Sequence, residues 1–396
     1  MATDSRRPRS YEGIALVAPT TLPYVRYSER GAAWFIGRTL AMLVESAAIA
    51  KKNVDGLAIA SFTLAPDGVA ALTEHFGMSL RWIEQLVTGG ASGIIAMQRA
   101  ARAVQAGDAE IVACIGADTC RRGGFRDLIA NFSRFSKDAV YPYGAAGPNG
   151  SFALITQYYM DRFHATREDF GRICIAQRHN AGRYPHALLR HPISMGDYLN
   201  ARPIAEPLHL LDCVMPCAGG EGYLVMTTER AETLGVPFAT ILSAGECHNA
   251  FCEDDIQIRG GWRAYRDDLY EGAGVGPADL DFLQTYDDYP VIVMQQFEDL
   301  GFCDKGDGPR FVRETPLTID GGGLPHNTSG GQLSGGQAGA AGGFLGIVEG
   351  IRQLTGPDLG NRVCDARIGL VSGYGMVTYD RCLCTSAAIL AKGGSR

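Results

Sequence analysis

Two glycine-rich turns in this chain each precede a segment with the pattern of a helix. The first turn is Val87 to Gly93 (VTGGASG), and the second spans residues 333–343 (LSGGQAGAAGG). The first turn of a helix has backbone N–H groups without intrahelical acceptors and about half a positive charge. Such a site favours a bound anion or an oxyanion that develops during a reaction. If the two turns meet at one site, they predict chemistry that passes through an enolate or another oxyanion.

The segments around the two turns follow one plan. After the first turn we predict a helix capped by Ser92 and ended near Gly107, then a buried strand over Glu110 to Ile115. The second turn is followed by a helix of small residues, a short linker and an apolar strand at Arg367 to Gly375. This order indicates an internal duplication of an α/β unit. The alternative is that two unrelated α/β units look alike.

The composition is that of an ordinary globular protein. Lys and Arg number 36 against 43 Asp and Glu, and 46% of the 396 residues are hydrophobic, which excludes a disordered or fibrous chain. The mild acid excess argues against binding to nucleic acid or to an anionic membrane. No apolar run reaches the roughly 18 residues of a membrane span, and the polar N-terminus lacks a signal sequence. Together with eleven Cys that lack zinc-site spacing, this predicts a cytoplasmic protein with reduced thiols.

Five segments, in their order along the chain, resemble the thiolase superfamily. They are VTGGASG, AGDAEIVACIGAD, QTYDDYPVIVMQQFEDLGFC, HNTSGGQLSGGQAGAAGG and VSGYG. The resemblance spans about residues 10–390 and points to the sterol carrier protein x-type thiolases and their lipid-transfer-protein relatives. It implies an α/β protein with a five-layered thiolase-like fold of two duplicated halves, assembled as a homodimer and acting on acyl-CoA thioesters. The expected halves are residues 1–245, with a loop domain at about 120–220, and residues 246–396.

This sequence lacks the four catalytic side chains of a thiolase. The position of the nucleophilic Cys is Gly90, and the position of the second Cys is Val371. The His of the Gly-His-Pro motif falls on Gln337, and the His of the His-Asp-Cys-Phe motif falls on Tyr286. Covalent acyl transfer needs a thiolate with a base beside it. Ordinary thiolase chemistry is therefore excluded.

The glycine-rich frame that would stabilise an oxyanion is still present, with backbone groups at Gly90 and Gly373 as candidates. Such a frame without a nucleophile suits the retro-aldol cleavage of a β-hydroxyacyl-CoA. The lipid-transfer-protein branch includes aldolases that cleave steroid side-chain CoA thioesters in this way, and this sequence resembles them in lacking the Cys. We therefore predict a carbon–carbon lyase for a bulky β-hydroxyacyl-CoA, with a steroid side-chain thioester as one candidate substrate.

Tyrosines are the candidates for the proton transfers. Tyr286 occupies the position of a family histidine, Tyr289 follows three residues later, and Tyr374 lies between two glycines in the opposing turn. Each could instead be a core aromatic or only shape a turn. Of the adjacent carboxylates Asp287 and Asp288, we expect one to cap or orient and not to titrate.

Two polar residues near the second turn complete the predicted site. Gln337 could donate a hydrogen bond to a thioester oxygen, and His326 is a further catalytic candidate, although loop histidines are common. We expect no metal and no permanently bound cofactor, with coenzyme A present as part of the substrate. The candidates for binding its phosphates are basic residues of the middle region, where a solvated charged face is an equal alternative: Arg178, His179, Arg183 and Arg190.

Two other functions stay open at this point. The first is a thiolase or condensing acyltransferase with an unusual nucleophile, and the second is a non-catalytic subunit that supports an active homologue. Within the branch that this sequence resembles, such proteins commonly pair with a small OB-fold, zinc-ribbon protein that can complete the acyl-CoA pocket. We therefore expect a homodimer core with this partner bound outside it.

Overall fold

The computed structural model describes residues 10–124 and 147–394, together with Asp138, Pro142 and Gly144 between them. Eleven strands lie in this part of the chain: β1 (Ile14–Val25), β2 (Gly56–Ala60), β3 (Trp82–Leu86), β4 (Val112–Asp118), β5 (Pro203–Ala205), β6 (Leu208–His209), β7 (Ala218–Thr227), β8 (Phe238–His248), β9 (Phe282–Gln284), β10 (Ile368–Val377) and β11 (Cys382–Lys392).

The same ranges contain twelve α-helices. They are α1 (Ala32–Ser46), α2 (Val69–His75), α3 (Ser92–Ala106), α4 (Pro148–Phe163), α5 (Arg167–Ala181), α6 (Met195–Leu199), α7 (Thr228–Leu234), α8 (Trp262–Ala273), α9 (Pro290–Asp299), α10 (Gly308–Glu314), α11 (Gly331–Gly335) and α12 (Gly342–Thr355). Among these described helices, none combines the length and the apolar composition that crossing a membrane requires.

Nine strands form one mixed sheet whose order repeats outward from its centre. The order is β3-β2-β4-β7-β1-β8-β11-β10-β9, and β1 pairs with β8 in antiparallel fashion, with Ala15 opposite Thr240. Outward from this pair, one side runs β1, β7, β4, β2 and the other runs β8, β11, β10, β9, so each side begins with the first and last strands of its half and has the second strand in fourth place. The place that β3 takes on one side is taken on the other by the backbone of His326, which pairs in parallel with Leu283. This symmetry confirms the predicted duplication.

The predicted boundary between the halves, at residues 245 and 246, falls within β8 and stays a prediction. The first predicted helix begins at Ser92 and ends at Ala106, and Gly107 follows with φ +79°. Ser92 is the first helical residue and not the cap, because the short helical turn at Gly89–Ala91 runs directly into α3; its hydroxyl bonds to that of Thr88 (3.1 Å). The predicted strand that follows is β4, shifted two to three residues along the chain.

Helices α3 and α12 meet at their N-terminal ends between the halves. A Cβ placed on Gly93 would lie 2.2 Å from the carbonyl oxygen of Gly343. A Cβ placed on Gly343 would lie 2.7 Å from the carbonyl oxygen of Gly89. Only glycine allows the two turns to approach this closely. The repeated glycines of the sequence therefore bring both turns to one place.

The helices of the middle region pack on the C-terminal half. Phe152 of α4, Ile173 of α5 and Tyr198 of α6 share one buried core with Ile292 of α9 and Leu333 of α11. The part of the predicted loop domain at 125–146 lies outside the described residues, apart from the three named above.

A buried ion pair connects this region to both halves. Arg352 pairs with Glu349 on α12 (2.5 Å) and donates to the hydroxyl groups of Thr21 on β1 (2.7 Å) and Tyr184 after α5 (3.3 Å). Thr21 donates in turn to Glu221 on β7 (2.8 Å). Breaking a buried, hydrogen-bonded pair is costly, so these contacts fix the middle region relative to the sheet.

Candidate active site

A pocket of about 680 Å³, open to solvent, lies where the two glycine-rich turns meet. Both turns contribute to its wall, through Gly90 of the first and Gln337 of the second. The turns thus face one site, as oxyanion chemistry requires. The remaining wall comes from the loop after β2, the start of α4, the segment before α9, and the end of β10. Its residues are Phe62, Pro148, Phe152, Tyr286, Asp288, Tyr374, Gly375, Met376 and Val377, and the turns also contribute Gly89 and Gly339.

The ring of Tyr286 fills the space next to Gly90. A Cβ placed on Gly90 would lie 2.1 Å from Cε2 of Tyr286 and 2.2 Å from the carbonyl oxygen of Tyr374. Real Cβ atoms essentially never come so close to other heavy atoms, so residue 90 cannot carry a side chain in this arrangement. The hydroxyl of Tyr286 accepts a hydrogen bond from Nε2 of Gln337 (3.4 Å). Two positions that hold catalytic residues in a thiolase are therefore in contact here, with different side chains.

Asp288 is the carboxylate of the pocket, and it was not among the predicted catalytic residues. It accepts a hydrogen bond from Nε2 of Gln337 (2.5 Å), and the hydroxyl of Tyr286, which accepts from the same Nε2, lies beside it. The side chain is half-buried, and desolvation raises the pKa of its carboxyl to about 8. The signal in the sequence was its position, because Asp288 falls on the Cys of the His-Asp-Cys-Phe motif. A carboxyl group with a pKa near neutrality suits acid–base catalysis.

Its neighbour Asp287 points away from the pocket. Asp287 accepts hydrogen bonds from the backbone N–H groups of Gln332 (2.9 Å) and Leu333 (3.1 Å) at the start of α11. These are N–H groups that the helix itself leaves without acceptors. One carboxylate of the adjacent pair thus caps a helix, and the other faces the pocket.

The hydroxyl groups of the other two predicted tyrosines bond to residues other than Asp288 and Gln337. The hydroxyl of Tyr289 donates to Oδ1 of Asn149 (2.5 Å), and its ring stacks on Phe152 with 4.1 Å between centroids. Tyr374 lies along the pocket wall, but its hydroxyl donates to Oε1 of Gln257 (3.1 Å). Tyr289 thus supports the wall from behind, and Tyr374 forms part of it.

His326 and Gly373 lie outside the pocket. His326 is fully buried, with Nε2 2.7 Å from the hydroxyl oxygen of Thr285, and burial lowers the pKa of its imidazole to about 3. A Cβ on Gly373 would lie 2.8 Å from the carbonyl oxygen of Gly90, so Gly373 allows β10 to pack against the first turn. The β10 glycine that lines the pocket is Gly375.

The predicted phosphate-binding residues do not form a free basic cluster. The guanidinium of Arg178 is buried and donates to the hydroxyl of Ser334 (3.1 Å). His179 and Arg183 both contact Asp320, at 2.9 and 2.5 Å, and Arg190 donates to the carbonyl oxygen of Gly182 (3.3 Å). Within the described residues, no group of three or more His, Cys, Asp or Glu side chains is placed to hold a metal ion.

Comparison with known proteins gives consistent similarities. Residues 247–388 match the family described as thiolase C-terminal domain-like. The chain is 31% identical to a steroid side-chain-cleaving aldolase of Thermomonospora curvata over 85% of its own length and 88% of that protein. It is 30% identical to a 17-hydroxy-3-oxo-4-pregnene-20-carboxyl-CoA lyase of Mycobacterium tuberculosis over 84% and 89%.

Solved structures show the same similarity. A chain of the Ltp2-ChsH2(DUF35) aldolase superposes with a TM-score of 0.85 at 29% identity, covering 98% of this chain and all of that one. A monomeric SCP2-thiolase-like protein of Mycobacterium smegmatis superposes with a TM-score of 0.73 at 15% identity, which shows likeness of fold.

Proposed function

This chain belongs to the thiolase superfamily, in the branch of the steroid side-chain-cleaving aldolases, and from that membership we propose that it is a retro-aldol lyase of β-hydroxyacyl-CoA thioesters. The observation that carries the proposal is the contact of Tyr286 with Gly90, together with the carboxylate of Asp288 beside it. The ring of Tyr286 fills the space that a nucleophilic side chain at residue 90 would need. Tyr286 and Asp288 form an acid–base pair at the same site. This arrangement supports proton transfer without an acyl-enzyme.

The reaction begins with the β-hydroxyl group of the substrate against the hydroxyl of Tyr286. Tyr286 accepts that proton while it passes its own proton to Asp288, so the tyrosine need not exist as a free phenolate. The oxygen–hydrogen electron pair becomes the second bond of a carbonyl, the Cα–Cβ bond breaks, and its electrons form a thioester enolate. The proton then returns to the α-carbon, which gives a ketone or aldehyde and a shorter acyl-CoA.

The two turns supply the electrostatic part of this mechanism. The enolate oxygen carries the negative charge, and the first residues of two short helical turns, Gly89–Ala91 and Gly339–Ala341, line the pocket. Gln337 donates one N–H to Asp288 and the other to the hydroxyl of Tyr286. We assign Gln337 to orienting the carboxylate and the tyrosine, in place of the predicted bond to a thioester oxygen.

The outer wall of the pocket suits a bulky, apolar acyl group. Phe62, Phe152, Met376 and Val377 form this wall, and Phe62 is exposed at its rim. A flat, cyclic side chain would bury its surface against these groups. The two curated relatives described above are named for steroid substrates, which supports a steroid or a similar cyclic thioester.

Assembly belongs to the same proposal. Strand β3 is the edge of the sheet, and Ile83 (40% exposed) and Val87 (71% exposed) lie on or beside it. An edge with exposed apolar side chains is suited to pairing with a second copy of the chain. The similar solved structure is named with a DUF35 protein, which supports a small OB-fold, zinc-ribbon partner for this chain.

The test is to incubate the protein, alone and with such a partner, with 17-hydroxy-3-oxo-4-pregnene-20-carboxyl-CoA or another cyclic β-hydroxyacyl-CoA. We expect a carbonyl product and a shorter acyl-CoA in equal amounts, without added free CoA. An acyl-enzyme seen by mass spectrometry, or cleavage that requires free CoA, would instead identify a thiolase. Binding of CoA without turnover under both conditions would identify a non-catalytic subunit.

A further inference from the structure

Four arginines that the mechanism does not use form one patch on the surface. Arg26 and Arg30 follow the end of β1, and Arg121 and Arg122 follow β4; all four are exposed. Two hydrogen bonds hold the segments together, from Ser28 N to the carbonyl of Cys120 (2.9 Å) and from the Thr119 hydroxyl to the carbonyl of Arg30 (2.6 Å). We refer to these four residues as the arginine patch.

Tyr27 lies within the arginine patch. The guanidinium carbons of Arg26 and Arg122 lie 4.5 and 4.7 Å from the centroid of its ring, which is 37% exposed. Guanidinium groups bind phosphate with paired N–H donors and stack on aromatic rings. An exposed ring between two arginines therefore offers a surface for a phosphate and for a flat base.

Within the described part of the chain, no ion pair balances the charge of the patch. No carboxylate of residues 10–124 or 147–394 forms an ion pair with any of the four arginines, although the chain as a whole has a net charge of −7. In contrast, Arg183 of the predicted cluster is paired with Asp320. Like charges held close together repel each other, so an anion bound at the patch would be stabilising.

The patch adjoins the mouth of the pocket on two sides. Arg26 donates to the carbonyl of Pro216, which pairs with the backbone of Gln337 in the pocket wall. On the other side, the backbone N–H of Thr119 donates to the hydroxyl of Thr63, next to Phe62 at the pocket rim (3.2 Å). A substrate with its reacting end at Tyr286 can therefore extend an anionic tail across this surface.

We propose that the arginine patch binds the phosphates of the coenzyme A moiety, with Tyr27 beside the adenine. This inference rests on the proposed function, because it requires the substrate to be a CoA thioester. The chemistry fits, since CoA carries a pyrophosphate and a 3′-phosphate on a flat nucleoside, at the end of a flexible arm. The arm lies between the patch and the reacting centre.

The experiment is to measure binding of CoA, of 3′-dephospho-CoA and of pantetheine by calorimetry, without turnover. The double variant Arg121→Ala/Arg122→Ala removes half of the positive charge of the arginine patch. The matched control is Arg183→Ala/Arg190→Ala, which removes two exposed arginines outside the patch. We expect the first variant to weaken CoA binding at least about tenfold, with a smaller salt dependence, and to leave pantetheine binding unchanged. Equal loss for CoA and dephospho-CoA assigns the pyrophosphate to the patch, and loss for CoA alone assigns the 3′-phosphate.

Unchanged CoA binding in the Arg121/Arg122 variant, or an equal loss in the control variant, would overturn the assignment. The proposed function fails in a different way. A wild-type protein that binds CoA through the patch but cleaves no β-hydroxyacyl-CoA would contradict the lyase and leave the patch in place. Normal cleavage by an Arg121/Arg122 variant with wild-type KM would contradict the patch and leave the lyase in place.

Discussion

The ring of Tyr286 occupies the space that a side chain at residue 90 would require, with Cε2 2.1 Å from the position of a Cβ there. The glycine at the position of the thiolase nucleophile and the tyrosine at the position of a thiolase histidine are therefore linked, because the ring in this position requires the glycine. A cysteine at residue 90 and this tyrosine conformation exclude each other. The chain cannot return to thiolase chemistry by a single substitution.

Gly90→Ala is expected to lower stability by about 1–3 kcal/mol and to abolish cleavage, because the added methyl group overlaps a ring and a backbone carbonyl. Gly90→Cys should likewise form no acyl-enzyme. The matched control is Gly335→Ala, where the nearest atom to a Cβ is Cδ2 of Leu345 at 3.9 Å. Thermal unfolding and mass spectrometry are the measurements. A Gly90→Cys protein that accumulates an acyl thioester would refute the argument.

Tyr286→Phe is expected to lower kcat at least about a hundredfold, because acid–base groups contribute 10²- to 10⁴-fold and only the hydroxyl is removed. Tyr289→Phe and Tyr374→Phe should be much milder, because those hydroxyls bond to Asn149 and Gln257. Steady-state kinetics with folded variants distinguishes them. If Tyr289→Phe is as inactive as Tyr286→Phe, the assignment of the proton transfer to Tyr286 and not to Tyr289 is wrong.

Asp288 sets the expected pH dependence. Its carboxyl must be ionised to accept a proton, and its pKa is about 8, so kcat should rise as pH rises through about 8. Asp288→Asn should remove this rise and lower kcat about a hundredfold.

The neighbouring carboxylate provides the control for that experiment. Asp287→Asn should lower the melting temperature, since it weakens the cap of α11, and should keep the same rise of kcat with pH. If kcat still rises with pH in Asp288→Asn, the titrating group is not Asp288.

Alkylation of cysteines should leave the activity intact. The residues that line the pocket include no cysteine, and Cys252 and Cys364 are the exposed thiols of the described residues. Iodoacetamide should therefore label these two first, as peptide mapping would show, without loss of turnover. Inactivation that substrate prevents and that maps to one cysteine would overturn the mechanism.

A homodimer is expected in light scattering at micromolar concentration. Ile83→Lys on the free edge of β3 should shift the protein towards monomer, because a buried charge at a strand-pairing edge is unfavourable. Leu210→Lys, at another exposed apolar residue, should leave the mass unchanged. A monomeric wild-type protein would contradict this assembly.

The glycine-rich turns and the apolar strands were sufficient to predict the duplicated α/β plan, because close backbone approach leaves glycines in the sequence. The pairing of β1 with β8 could not be predicted in the same way. It joins residues more than 200 positions apart, and no local pattern determines which strands become neighbours. The cap assigned to Ser92 was wrong because a short helical turn at Gly89–Ala91 precedes α3.

Within the site, the positions of Tyr286 and Gln337 could be placed in the pocket through the motifs that they interrupt. The choice between Asp287 and Asp288 could not be made, because adjacent side chains in an irregular segment face opposite directions. The same limit applied to Arg178, whose charge suggested a phosphate but whose guanidinium packs against Ser334. The burial of a side chain depends on residues that are distant in the sequence and near in space.

The sheet that runs through both halves also determines how molecules reach the pocket. A hinge motion that separates the two halves would break the hydrogen bonds between β1 and β8 and move α3 away from α12. Entry of the thioester and departure of a bulky ketone must therefore occur through the rim, past Phe62 and Met376. When product release limits turnover, the limiting step is then the passage of the product across that rim.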